Sequence, residues 1–106
     1  MGRKSRAVAK EKALVIFRKF KDTGDVIAIF PEEPSTDAQH ECLSYMHIGQ
    51  HGSCVPKYLM MVTVPATPEE YEDLKKELEG IGYDLVIRYR ESPAMREIRG
   101  NKLMEY

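Results

Sequence analysis

Two apolar runs near the start of the chain limit the fold more than any other feature. Residues 13–20 read ALVIFRKF and residues 26–30 read VIAIF, both rich in β-branched and aromatic side chains. The spacer KDTGD is a short turn-forming linker in which Gly24 can take positive φ, so the two runs are expected to form a β-hairpin with a loop of three to five residues. Each run is apolar on both faces: Leu14 and Ile16 alternate with Val15 and Phe17, and Ile27 and Ile29 with Val26, Ala28 and Phe30. Such strands belong in the middle of a sheet or under cover on each side. The rest of the chain has to provide those covers.

One cover is written plainly. In TPEEYEDLKKELEG, Thr67 suits the N-cap, Pro68 the first helical position and Glu70 the reciprocal place of a capping box. Glu69, Glu70, Glu72 and Asp73 favour the positive end of the helix dipole. Tyr71, Leu74 and Leu78 form an apolar stripe, and Gly80 or Gly82 stops the helix. The segment YDLVIRYR then alternates, with Tyr83, Leu85, Ile87 and Tyr89 against Asp84, Val86, Arg88 and Arg90.

Before that helix, Pro31, Pro34 and EEPSTDAQ mark a loop and Cys42 to Ile48 a third strand. GQHGS is expected to break this strand, and YLMMVTV to make a fourth that stops at Pro65. Ser92 and Pro93 cap a short final helix carrying Met95 and Ile98, which Gly100 ends. The expected order is β-β-β-β-α-β with a short C-terminal helix, an α+β domain on a mixed sheet of four or five strands. Strand four, helix and strand five are closely joined, so the last two strands are expected to be parallel with a right-handed crossover. The second sheet face would be shielded by Met95, Ile98, Leu103 and Met104 docking on it, or else by a homodimer.

The 106 residues amount to one domain at residues 13–106, preceded by a flexible basic arm at residues 1–12. Residues 1–21 carry eight basic side chains against Glu11 alone, whereas residues 22–87 carry three against thirteen acids. A nucleic-acid reading would use Arg3, Lys4, Arg6, Lys10 and Lys12 with Arg88 and Arg90. It ranks third, because no RNP-type aromatic signature, helix-turn-helix or zinc finger accompanies them. No run of about 18 apolar residues is present, and the N-terminal segment lacks the apolar core of a signal peptide. The chain is therefore expected to be cytoplasmic, with no membrane association and its two cysteines as thiols.

All three histidines and both cysteines fall between His40 and Cys54. Cys42, His47, His51 and Cys54 form a soft donor set of the kind zinc prefers, but the paired C-x2-C knuckle is missing. A straight strand would hold His47 and His51 about 13 Å apart, with Cys42 on the face opposite His47. A metal site would need the chain to curl at Gly49 and Gly52 and bring His47, His51 and Cys54 together. A Cys54 or Cys42 nucleophile with a histidine base is a second possibility, although Cys42 in an apolar strand reads as a small buried hydrophobe. In a third, Gly49, Gln50, His51 and Gly52 form a recognition loop, whose glycines let a ligand or partner backbone come close. The bland counterpart of all three is a bulged hairpin turn with locally bonded histidines.

SYMHIGQHG at residues 44–52 and PATPEEYEDLKKELEGIGYDL at residues 65–85 resemble a group of small uncharacterised bacterial proteins, some associated with mobile elements. The resemblance covers about residues 14–98, with HIGQHG as its signature, and Cys54 is not a fixed position of that group. It implies a single bacterial domain and brings no activity, cofactor or catalytic residue with it. The sequence expectation is accordingly a non-catalytic binding or accessory protein with no cofactor and no metal. It would recognise a small molecule or protein partner through the loop His47 to Ser53, with Tyr45, His47, Gly49, Gln50, His51 and Gly52 as the contact residues. The alternative is a metal-dependent or Cys/His enzyme centred on His47, His51 and Cys54.

Overall fold

The computed structural model describes residues 12–46 and 50–104, and of Gln50 the backbone only. Expectations that fall on residues 1–11, on His47 and Gly49, or on the side chain of Gln50 lie outside the described part. Lys12, the last residue of the expected arm, opens the first strand instead and pairs with Asp84 at 3.5 Å.

β1 (Lys12–Phe20) and β2 (Val26–Phe30) form the expected hairpin, with Ile16 opposite Ile29 and Lys19 opposite Val26. Gly24 sits in its turn at φ 79°, a conformation that only glycine adopts at no cost. β3 (Cys42–Met46) pairs antiparallel with the far edge of β2, and β4 (Gln50–Cys54) pairs antiparallel with β3. α1 (Pro56–Val62), β5 (Thr63–Pro65), α2 (Pro68–Ile81), β6 (Asp84–Arg88) and α3 (Pro93–Met104) complete the chain. The strand order is β4-β3-β2-β1, and the outer edge of β1 is shared by β5 and β6. The fold is α+β on a mixed sheet, six-stranded rather than four- or five-stranded, with one parallel pair.

Four expectations about this architecture are corrected. GQHGS does not lie outside the ladder: residues 50–54 form a separate strand, β4, because cross-strand pairing with β3 overrides the poor strand preference of glycine. YLMMVTV is not a strand but mostly α1. Pro56 at the first helical turn, the good helix formers Leu59, Met60 and Met61, and burial of Leu59 against exposure of Tyr58 and Met61 fit a helical period. The last two strands do not lie side by side. β5 runs antiparallel to β1 at Arg18–Phe20 and β6 parallel to it at Lys12–Ile16, end to end along one edge long enough for both. Finally, α3 continues through Gly100, whose φ is not positive, and buries Met95 and Arg99 while Ile98 stays exposed.

The doubly apolar strands receive a helix on each face. On one side Val15, Phe17, Ala28, Phe30 and Tyr45 pack against Tyr71, Leu74 and Leu78 of α2. There the Phe17 and Tyr71 rings stack at 4.3 Å. On the other side Ile16, Ile27, Ile29 and Cys42 pack against Leu59, with Phe20, Met46, Cys54, Met60 and Val62 around them. The apolar cluster of this second face is therefore closed by α1, while α3 brings the buried Arg99 to the same side, near the two thiols. Among the described residues no helix is long and apolar enough to cross a membrane.

α2 is built as its sequence dictates: Thr67 accepts from the Glu70 amide, the Glu70 carboxylate accepts from the Thr67 amide at 2.9 Å, and Gly82 closes the helix at φ 126°. α1 has no side-chain cap at its start. At its end, carbonyls that the helix leaves unbonded are taken up from β1 and the turn after it. Arg18 donates to the Met60 carbonyl at 3.4 Å and to both the carbonyl and hydroxyl oxygens of Thr63 at 2.9 Å. Lys21 donates from its ammonium to Met61 at 3.1 Å and from its amide to Val62 at 3.0 Å. Burial of the Arg18 guanidinium pulls its pKa down from the ordinary value.

Candidate functional site

The β3–β4 ladder divides the His/Cys window between the two sheet faces. Cys42 stands opposite Cys54 and Tyr45 opposite His51, and the period of two sends these pairs to opposite sides. Tyr45 is buried on the α2 side, and its hydroxyl donates to the Glu77 carboxylate of that helix. The exposed His51 ring lies edge-on to Tyr45 with centroids 4.6 Å apart, and its Nε2 is 3.0 Å from the Tyr83 hydroxyl. Burial, then the charge of Glu33, pushes the Tyr83 phenol above its ordinary pKa.

On the α1 side the two thiols face each other, with Cys42 Sγ 3.5 Å from Cys54 Sγ. Cys42 is fully buried and Cys54 partly exposed. The hydrogen bond between them, then burial, pushes the Cys42 thiol far up. The same hydrogen bond, helped by the positive charge of Arg99 and opposed by burial, draws Cys54 down. Either sulfur can donate in this contact, and Cys54 is the one that solvent reaches.

Beside Cys54, α1 and α3 diverge around a cleft of about 760 Å³. Its apolar wall is Val55, Pro56 and Met60; its polar wall is His40, Lys57, Arg90, Glu91, Arg96 and Arg99. Arg99 is buried and fixed, donating to the Pro31 carbonyl at 2.6 Å, the Gln39 carbonyl at 2.8 Å and Glu91 at 2.8 Å. Glu91 also holds Arg96 at 3.1 Å, so the one carboxylate of the wall serves two guanidinium groups. Lys57 and Arg90 have no acidic partner among the described residues. The rim of the cleft carries a positive surplus.

Among the sequence-derived site residues, Tyr45 and His51 are brought together, and Gly52 lies in β4 opposite Ser44. His51 and Cys54 project from opposite faces of the same strand, so they do not converge. Among the described residues, no three His, Cys, Asp or Glu side chains are grouped as metal ligands would be. Sequence reasoning missed the cleft, because Lys57, Arg90, Arg96 and Arg99 come from segments separated by more than thirty residues and joined only by the fold. One available signal was the spacing of Met95 and Arg99, which places an arginine on the inward stripe of α3. In comparisons with known proteins, the chain matches no family model, no curated protein and no solved structure.

Proposed function

We propose that the protein is a small binding module, without catalysis of its own, that takes an anionic ligand in the cleft between α1 and α3. The class is the one expected from the sequence; the locus favoured by the geometry is the cleft rather than the His47–Ser53 loop. The observation that carries this reading is the uncompensated positive charge of Lys57 and Arg90 beside an apolar wall of Val55, Pro56 and Met60. A concave site with an apolar lining and a few convergent polar groups is the usual form of a small-molecule site. Arg90 offers a planar fork suited to carboxylate or phosphate, and Lys57 a point charge. The buried bonds of Arg99 to Pro31, Gln39 and Glu91 hold the floor in place before any ligand arrives.

The test is a titration of the full chain with phenyl phosphate, which offers both charge and an apolar body, and with pyrophosphate, which offers charge alone. Phenyl phosphate is expected to shift amide resonances of residues 55–60 and 90–99 and to bind more tightly than pyrophosphate. The double variant Lys57→Ala/Arg90→Ala, both at exposed positions, should weaken it more than about tenfold while leaving the fold intact. Equal binding by wild type and double variant, or shifts confined to the His51 face, would overturn the reading.

A further inference from the structure

We infer that Cys42 and Cys54 form a redox-active dithiol that exchanges with low-molecular-weight disulfides, Cys54 being the attacking thiol and Cys42 the resolving one. This rests on the ladder register and is independent of anion binding in the cleft. Directly opposed residues of an antiparallel pair hold their Cα atoms about 4.5 or about 5.5 Å apart, and both values fall within the range that a disulfide spans. Cys42 and Cys54 are directly opposed, with their sulfurs already 3.5 Å apart on the same face. Forming a bond of about 2.05 Å needs side-chain rotation and no movement of the strands.

The two thiols are unequal in the way that the exchange needs. Cys54 lies on β4, the outermost strand of the sheet, is partly exposed and follows the exposed run His51, Gly52 and Ser53. Cys42 is fully buried on β3, where a dissolved disulfide cannot reach it. The charged groups acting on Cys54 are Arg99, which favours the thiolate, and Glu91 and Glu41, which oppose it.

The step balances with a small disulfide as the oxidant. The Cys54 thiolate bonds to one sulfur of the disulfide, whose sulfur–sulfur bond breaks to release one thiolate. Cys42 then gives up its proton to solvent and attacks Cys54 Sγ, expelling the second thiolate. The dithiol loses two electrons, and the small disulfide becomes two thiols after protonation. Thiol–disulfide exchange in the reverse direction restores the reduced protein.

The experiment treats the native full chain with glutathione disulfide and follows intact mass and free thiols. Wild type should lose two hydrogens without retaining an adduct, and dithiothreitol should reverse the change. The variant Cys42→Ser should stop at one glutathionyl adduct on Cys54, while Cys54→Ser should react slowly unless unfolded by urea. A wild type that accumulates the mixed disulfide, or that stays reduced natively while reacting in urea, overturns the proposal. So does a Cys54→Ser variant that reacts as fast as Cys42→Ser. Circular dichroism of each variant before treatment separates a failure to fold from a failure to exchange.

Discussion

The two faces of the sheet are closed by helices that owe their existence to different things. α2 has 14 residues, a reciprocal capping box, an apolar stripe and a glycine stop, so its local signals agree with its place in the fold. α1 has seven residues and no side-chain cap, and its terminal carbonyls are bonded by Arg18 and Lys21 from elsewhere in the chain. A helix that short is not stable by itself, because nucleation costs are recovered only through packing. One cover therefore follows from sequence, and the other from the sheet on which it rests. The cleft and the thiol pair both lie on the second, more dependent side.

The largest effect should come from emptying the α2 side. Leu78 is fully buried among Phe17, Phe30 and their neighbours, and Leu78→Ala should cost about 4 kcal/mol by urea unfolding. Leu59→Ala, under the smaller cover, should cost about 2 kcal/mol, since a short helix can settle into the space left behind. Equal losses would break the contrast between the two faces. Leu59→Ala should also speed amide exchange through α1 while leaving α2 protected, a local opening rather than a global one.

Arg18 sharpens the same contrast. Arg18→Met keeps the aliphatic stem but removes three hydrogen bonds to Met60 and Thr63, with an expected loss of about 2 kcal/mol. The loss should be accompanied by faster exchange at residues 56–65, and a uniform loss across the molecule would deny Arg18 its role as the clamp of α1. On the other face, Thr67→Ala removes half of the capping box and should cost about 1 kcal/mol, fraying the first turn of α2 without releasing the helix.

These differences explain what the sequence reveals and what it hides. The hairpin of β1 and β2, the limits of α2 and the strand after it are legible because each is set by neighbours within a few residues. α1 was hidden because a run such as Tyr58-Leu59-Met60-Met61-Val62 satisfies a strand or a helix, and only the sheet beneath it decides. β4 was hidden because Gly52 argues against a strand, whereas the ladder to β3 outweighs that preference. The His/Cys window was visible as a concentration but not as a geometry: the register sends His51 toward Tyr45 and Cys54 toward Cys42. The positive cleft left no local trace, because its charges arrive from α1 and the segment 90–99, far apart in sequence.

The smallest expected effect concerns how α2 is tied to β1. Lys19 of β1 donates to the Glu70 carboxylate, which also accepts from the Thr67 amide, so the bond to Lys19 and then those to Thr67 hold the Glu70 pKa below its ordinary value of 4.5. A carboxyl whose pKa is lower when folded contributes stability above its unfolded pKa and loses it as the pH falls through the folded value. The contribution should thus be whole at neutral pH, start to fall as the pH approaches the ordinary value of 4.5, and be lost once the folded carboxyl is protonated at lower pH. Glu70→Gln should lower the urea midpoint slightly at neutral pH, and its curve against pH should meet that of wild type in acid. Because both side chains of the pair remain partly open to solvent, the difference should also shrink with added salt. The cycle with Lys19→Ala assigns it to the pair: in the Glu70→Gln background, removing the lysine should add little. Parallel pH curves for wild type and Glu70→Gln would mean that the capping box alone anchors the start of α2. The α2 face would then rest on local signals even more completely than the comparison with α1 requires.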